Sequence, residues 1–166
     1  MQKLNHTLLL SMISNNSKLK LFGIHGIKHW KRVCQIGTSL AAHTGADLAV
    51  VTAFSWVHDA RRYSDGLDLL HGNRGAAFAR RINYICLFLN HEQLELLCRA
   101  CEGHSYGEKS RNQTIGTCWD ADRLDLSRLD VQPDTALLST VHARKQQFIA
   151  WACSLSDNEE YDNKQI

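Results

Sequence analysis

Read against a repeat of 3.6 residues, the apolar positions divide the chain into helical blocks. A first amphipathic stretch covers about Lys3 to Ile13. A second, about His25 to His43, carries Ile27, Trp30, Val33, Cys34, Gly37, Leu40 and Ala41 at helical spacing, and Gly45 is placed to end it. Asp47 is a suitable N-cap for a third helix, Leu48 to about His58. That segment, LAVVTAFSWV, is apolar on all sides, which predicts a buried central helix. A fourth helix is predicted over about Gly72 to Phe88. Asn90 with Gln93 has capping-box spacing for a fifth, about His91 to Ser105, with Leu94, Leu97, Cys98 and Cys101 as its buried stripe. A sixth covers about Gln113 to Leu126. Pro133 suits the first turn of a later helix that carries on through about Trp151. No long alternating strand pattern is present, and the β-prone Val50-Val51 pair lies inside a helical segment. The expected fold class is all-α: one helical bundle over 1–155, with a frayed polar tail at 156–166 (SDNEEYDNKQI).

Composition supports this and removes several functions. The chain has 166 residues, the size of one ordinary domain, with 44% hydrophobic and 22% charged residues, as in globular proteins. One proline and ten glycines suit long helices better than a turn-rich sheet protein. A formal charge of +2, without interleaved basic and aromatic residues, argues against nucleic acid as a partner. No apolar run approaches the roughly 20 residues of a membrane span, so no membrane partner is expected. Met1 to Ser17 holds one short apolar run and no small-residue cleavage site. A reduced, cytoplasmic protein is therefore expected, with Cys34, Cys86, Cys98, Cys101, Cys118 and Cys153 acting mostly as small apolar residues. The Cys98–Cys101 CxxC pair has no second pair to complete a zinc site, and it sits in a helical stripe. Oligomeric state is left open.

Histidine is the unusual residue, with nine copies. His58 and Asp59 follow the fully apolar third helix, where burying both is costly without a partner. A divalent cation would satisfy both; so, more blandly, would a helix C-terminus that favours His and a turn that begins with Asp. His29 stands on an apolar flank of the second helix with Val33, Ile36 and Leu40. His104 follows Leu97 and Cys101 on the fifth, and Asp120 and Asp122 lie in the sixth, in CWDADRLDL. One inward histidine is ordinarily a satisfied core residue. Several inward His and Asp from four helices are the way a bundle builds a metal site.

The order H…HD…D, with helices between, resembles the HD-domain superfamily of metal-dependent phosphohydrolases. HGIKHWKRV (His25 to Val33) is similar to the family's first helix, AVVTAFSWVHDARR (Ala49 to Arg62) to the helix that ends in the name-giving doublet, and TCWDADRLDLSR (Thr117 to Arg128) to the closing helix. The resemblance covers about His25 to Arg128 and is closest to small single-domain bacterial members. It implies an all-α bundle with a divalent metal (Mn, Fe, Co, Ni or Zn, less readily Mg) held by His29, His58, Asp59 and Asp120, with Asp122 the second choice for the last ligand. A second metal would draw on two of His71, His91 and His104.

The implied reaction is hydrolysis of a small phosphorylated molecule, with nucleotides among the candidates, by metal-activated water. Asp59 would ligate and orient the water, and His104 or His71 would give a proton to the leaving oxygen. Lys28, Arg62 and Arg74 are candidates for the phosphate, Arg74 because it lies at a helix start in HGNRGA, where Gly72 and Gly75 allow close approach. His25 is expected to support a ligand from behind. Two departures leave the substrate unassigned. Nucleoside monophosphatases of this family carry a glutamate where Arg62 stands, and the alarmone hydrolases' additional ED pair is missing. A metal- or nucleotide-binding module without catalysis, and a purely structural bundle with its buried His and Asp paired together, are the competing readings.

Overall fold

Asp47 starts a largely buried helix of the bundle. Its Oδ1 accepts from the amides of Ala49 and Val50 at 2.9 and 3.2 Å, satisfying donors that the first turn leaves open. The helix that follows, α3 (Leu48–Val57), buries Val50, Val51, Ala53, Phe54, Trp56 and Val57. The computed structural model describes residues 4–163, and among these the chain forms seven α-helices and no strand. The others are α1 (His6–Ser14), α2 (Ile27–Thr44), α4 (His71–Ile82), α5 (His91–Gly103), α6 (Gln113–Leu124) and α7 (Gln146–Asn163). The fold is all-α, as expected. Around α3 lie α2, α5 and α6, while α4 lies along α5 and α2 along α6. One continuous apolar core runs from Leu9 to Ala152, so it extends beyond residues 25–128 on both sides. No described helix is long and apolar enough to cross a membrane.

Helix ends follow local chemistry closely. Gly45 takes the left-handed conformation, φ 70°, and ends α2. The Asn90–Gln93 capping box forms in both directions. The expected fourth helix to Phe88 is α4 plus one π-helical turn, Asn83–Leu87, which ends on Phe88 at φ 56°. The Asn83 side chain closes it, donating to the Leu89 carbonyl and accepting from the Leu89 amide. Gly72 and Gly75 do permit close approach, but of backbone. A Cβ on Gly72 would meet the Cys101 carbonyl at 2.2 Å, and one on Gly75 the His58 carbonyl at 2.8 Å. They seat α4 against α5 and against the end of α3.

The C-terminal third departs from expectation. Pro133 opens no helix. It precedes a short 3-10 turn, Thr135–Leu137, and α7 begins only at Gln146. The amides of Ser139 and Thr140 are claimed by the Asp120 carboxylate at 2.6 and 2.7 Å, which holds that backbone out of a helix. The stretch expected to fray continues α7 to Asn163, while 164–166, like Lys3 at the other end, lie outside the described residues.

Candidate metal centre

Six elements deliver one cluster of histidines and aspartates. His29 lies in the first turn of α2, His58 caps α3 with Asp59 next to it, His71 opens α4, His104 caps α5, and Asp122 lies in α6. Asp125, in the 3-10 turn after α6, completes it from behind. His29, His58, Asp59, His71 and His104 are at most 5% exposed. Their ligand atoms fall within 4.8 Å of one another in three overlapping groups: His29, His58 and Asp59; His58, His104 and Asp122; and Asp59, His71 and His104.

The ring nitrogens decide what the cluster can do. His29 Nδ1 donates to Asp125 Oδ2 at 2.7 Å, and His58 Nδ1 donates to the Phe54 carbonyl at 3.0 Å. Phe54 also stacks on the His58 ring, centroids 4.7 Å apart. Both histidines thus spend the Nδ1 proton outward and present the Nε2 lone pair inward. Those two Nε2 atoms are 3.1 Å apart. Asp122 Oδ1 lies 3.4 and 3.5 Å from them, and Asp59 Oδ2 lies 3.8 Å from each. Ligand atoms about 2.1 Å from one cation stand about 3.0 Å apart at right angles and about 3.4 Å at tetrahedral angles. Donor type and spacing therefore fit a divalent ion with mixed nitrogen and oxygen ligands.

A second group has the same construction. His71 Nδ1 donates to the Asp68 carbonyl and His104 Nδ1 to the Cys101 carbonyl, leaving their Nε2 atoms 2.8 Å apart. Asp59 Oδ1 is 3.3 and 3.6 Å from them, so the one carboxylate faces both groups.

Charge distribution follows the geometry. Burial holds the pKa of His29 down to about 4, against the opposing effect of its hydrogen bond to Asp125, so the ring is neutral near pH 7. Burial also works against a charge on His58, but the Asp59 and Asp122 carboxylates outweigh it and raise its pKa. Burial likewise opposes charge on Asp59 and Asp122. The surrounding histidines win, His58 foremost, and both acids lie below the usual carboxylate range. Two ionised carboxylates in a buried pocket call for positive charge between them.

Behind the cluster is a supporting layer. Asp125, fully buried, accepts from Arg32 Nε at 2.6 Å and lies 3.4 Å from Arg128 Nη1 while it orients His29. His25 Nδ1 is 2.9 Å from Asp59 Oδ2 and holds that carboxylate from behind.

The two α6 candidates for the last ligand lie in different surroundings. Asp120 is buried and both its oxygens are taken by the Ser139 and Thr140 amides, whereas Asp122 faces the histidines. Two residues along a helix are 200° around it, so only one of the pair can face the site. The phosphate candidates also divide. Arg62 lines the pocket of about 290 Å³ over the cluster, with Arg123 and Arg128, which the sequence did not single out. Arg74 is occupied elsewhere: it pairs with Asp68, donates to the Arg61 carbonyl and covers the Tyr63 ring. Lys28 is exposed and is not part of the pocket lining. A larger cavity, about 840 Å³, is walled in part by Ser139 and Thr140 and holds none of the clustered ligands.

This arrangement of helices has a solved counterpart. A crystal structure described as a predicted HD superfamily hydrolase from an uncultured Thermotogales bacterium matches it with a TM-score of 0.67, over 96% of this chain and 92% of that one, at 19% identity. The chain has the HD-domain fold. No protein-family model and no curated protein matches the sequence. Within the HD-domain fold seen here, the His58-Asp59 doublet lies at the centre of the cluster, and Asp59 is the residue that touches both of its halves.

Asp125, which orients the His29 ring, is the residue of the cluster that sequence reasoning missed. Its signal was the spacing: Asp122 and Asp125 are three apart, on one helical face, and Arg32 lies three after His29.

Proposed function

We propose that the chain is a metal-dependent phosphohydrolase acting on a small phosphorylated molecule, with one divalent ion held by His29, His58, Asp59 and Asp122. The observation that carries this is the pair of inward Nε2 lone pairs, 3.1 Å apart, flanked by two ionised carboxylates. Such an ion supplies the Lewis acidity that makes water a nucleophile near neutral pH and polarises a phosphoryl oxygen.

The remaining roles belong to side chains. Asp59, fixed by His25, orients the attacking water on the side of His71 and His104. With both Nδ1 atoms committed to carbonyls, one proton lies between His71 Nε2 and His104 Nε2. Arg62 Nη1 is 3.2 Å from His71 Nε2, so His71 is engaged by the guanidinium and His104 is the ring left for the leaving oxygen. His104 is then the acid for the leaving oxygen. Arg62, Arg123 and Arg128 supply positive charge around the pocket, and its size, near the lower end for ligand sites, suits a small phosphoester or mononucleotide.

The test is turnover. Purified protein, stripped and reloaded separately with Mn, Co, Ni or Zn, is assayed for phosphate release from phosphomonoesters and from nucleoside mono-, di- and triphosphates. Hydrolysis that needs added metal and disappears in His58→Ala supports the reading. Full metal loading with no release from any substrate favours a binding module without catalysis.

A further inference from the structure

The second group of potential ligands, Asp59 Oδ1, His71 Nε2 and His104 Nε2, has separations of 2.8 to 3.6 Å, which would suit a cation as well as the first group does. We propose that Arg62 occupies the open face of this group and limits the chain to a single metal ion. The inference rests on the first group binding metal.

Arg62 Nη1 is 3.2 Å from His71 Nε2 and 3.4 Å from Asp59 Oδ1. It therefore touches two of the three atoms a second ion would need. It is not a loose side chain resting there. Its Nε donates to the Ser64 carbonyl at 3.2 Å and its Nη2 to the Gly66 carbonyl at 2.8 Å, so the guanidinium is tethered from both other corners. The side chain is 11% exposed, which limits screening by water. A guanidinium keeps its charge at any ordinary pH. A divalent ion within bonding distance of the same two atoms would face that fixed charge at close range, where repulsion is large.

The two groups differ in this respect. Near the first, Arg32 and Arg128 are directed at Asp125, behind His29, and Asp125 lies between their charge and the inward Nε2 atoms. In the second, the guanidinium contacts the ligand atoms themselves.

The experiment measures metal per chain. Wild type, Arg62→Ala and Arg62→Gln are equilibrated with excess Mn(II), freed of unbound ion by gel filtration, and analysed by elemental mass spectrometry and by electron paramagnetic resonance. Circular dichroism verifies that each is folded. Wild type is expected to hold one Mn(II) per chain with an uncoupled signal. The variants are expected to approach two per chain, with spin coupling between ions and at least tenfold tighter second-site binding. Two ions in the wild type would overturn the proposal even if neither variant folds. One ion in wild type and in both folded variants would also overturn it. No ion in any of the three would instead overturn the reading of the first site, and the proposal with it.

Discussion

His29 and His58 face each other through Nε2 atoms 3.1 Å apart, and each has committed its Nδ1 proton to an acceptor on its far side. Two lone pairs at that distance repel unless something positive lies between them. A proton can do so, and so can a metal ion, and the flanking Asp59 and Asp122 carboxylates favour either. The site is thus built to bind a cation, and its behaviour with pH and mutation follows from which cation is present.

Asp120 and Asp122 have separable roles. Asp122→Ala should abolish tight metal binding and, because it costs His58 one of two carboxylate partners but strands no backbone amide, should destabilise the fold less than Asp120→Ala does. Asp120→Ala should keep the metal ligands but leave the Ser139 and Thr140 amides without their acceptor, at a cost of about 3 kcal/mol. Urea denaturation and metal titration of the two variants check this; equal metal loss in both would mean that Asp120 acts at the site after all.

Asp125 orients His29 and neutralises Arg32 and Arg128 at once. Asp125→Ala should lose about 3–5 kcal/mol of stability, since it strands a buried guanidinium. Asp125→Asn preserves the shape and should weaken metal affinity about 10- to 100-fold, the range for removing a partner of a ligating histidine. Isothermal titration of Asp125→Asn gives the second figure.

Proton and metal compete for His58. Its pKa is raised above 6.5, so the metal-free protein takes up a proton there as pH falls. Apparent metal affinity should rise about tenfold per pH unit through that titration and level off above it. His29, held near 4, stays neutral throughout and adds no slope. The metal-free fold should show the opposite trend. A histidine with a raised folded pKa contributes stability that is complete below its unfolded value and is lost as pH rises through the folded one. Thermal melts of chelator-treated protein from about pH 6 to about pH 9 should therefore fall with pH, and metal should restore them.

The bundle was readable because its signals are local. The Asp47 cap, the Gly45 stop and the Asn90–Gln93 box each rest on a few neighbouring residues, and each formed where the pattern placed it. The doublet was readable because two ionisable residues at the end of an apolar helix are costly. The choice between Asp120 and Asp122 was not readable. Thr114 to Ala121, Arg123 and Leu124 are all buried, so α6 has no polar face from which to set its rotation. What decides it is the contact of Asp120 with the 139–140 amides, about twenty residues away in sequence. That same contact replaced the expected helix after Pro133 with an irregular segment.

The cysteines should show packing chemistry. Cys86, Cys98, Cys101 and Cys118 are buried, and burial raises each thiol, Cys98 to about 11. With a thiol-specific disulfide reagent at about pH 8, the native protein should react at Cys34 and Cys153 only, the other four following on unfolding. Rapid reaction of Cys98 or Cys101 in the folded protein would contradict their assignment to the core.

The central claim is where a cation binds. Crystals soaked in Mn(II) and measured by anomalous diffraction would locate it. One strong peak is expected about 2.0–2.3 Å from the Nε2 atoms of His29 and His58 and from carboxylate oxygens of Asp59 and Asp122. No peak in this cluster at saturating metal, or a peak ligated by Asp120 in place of Asp122, would contradict it.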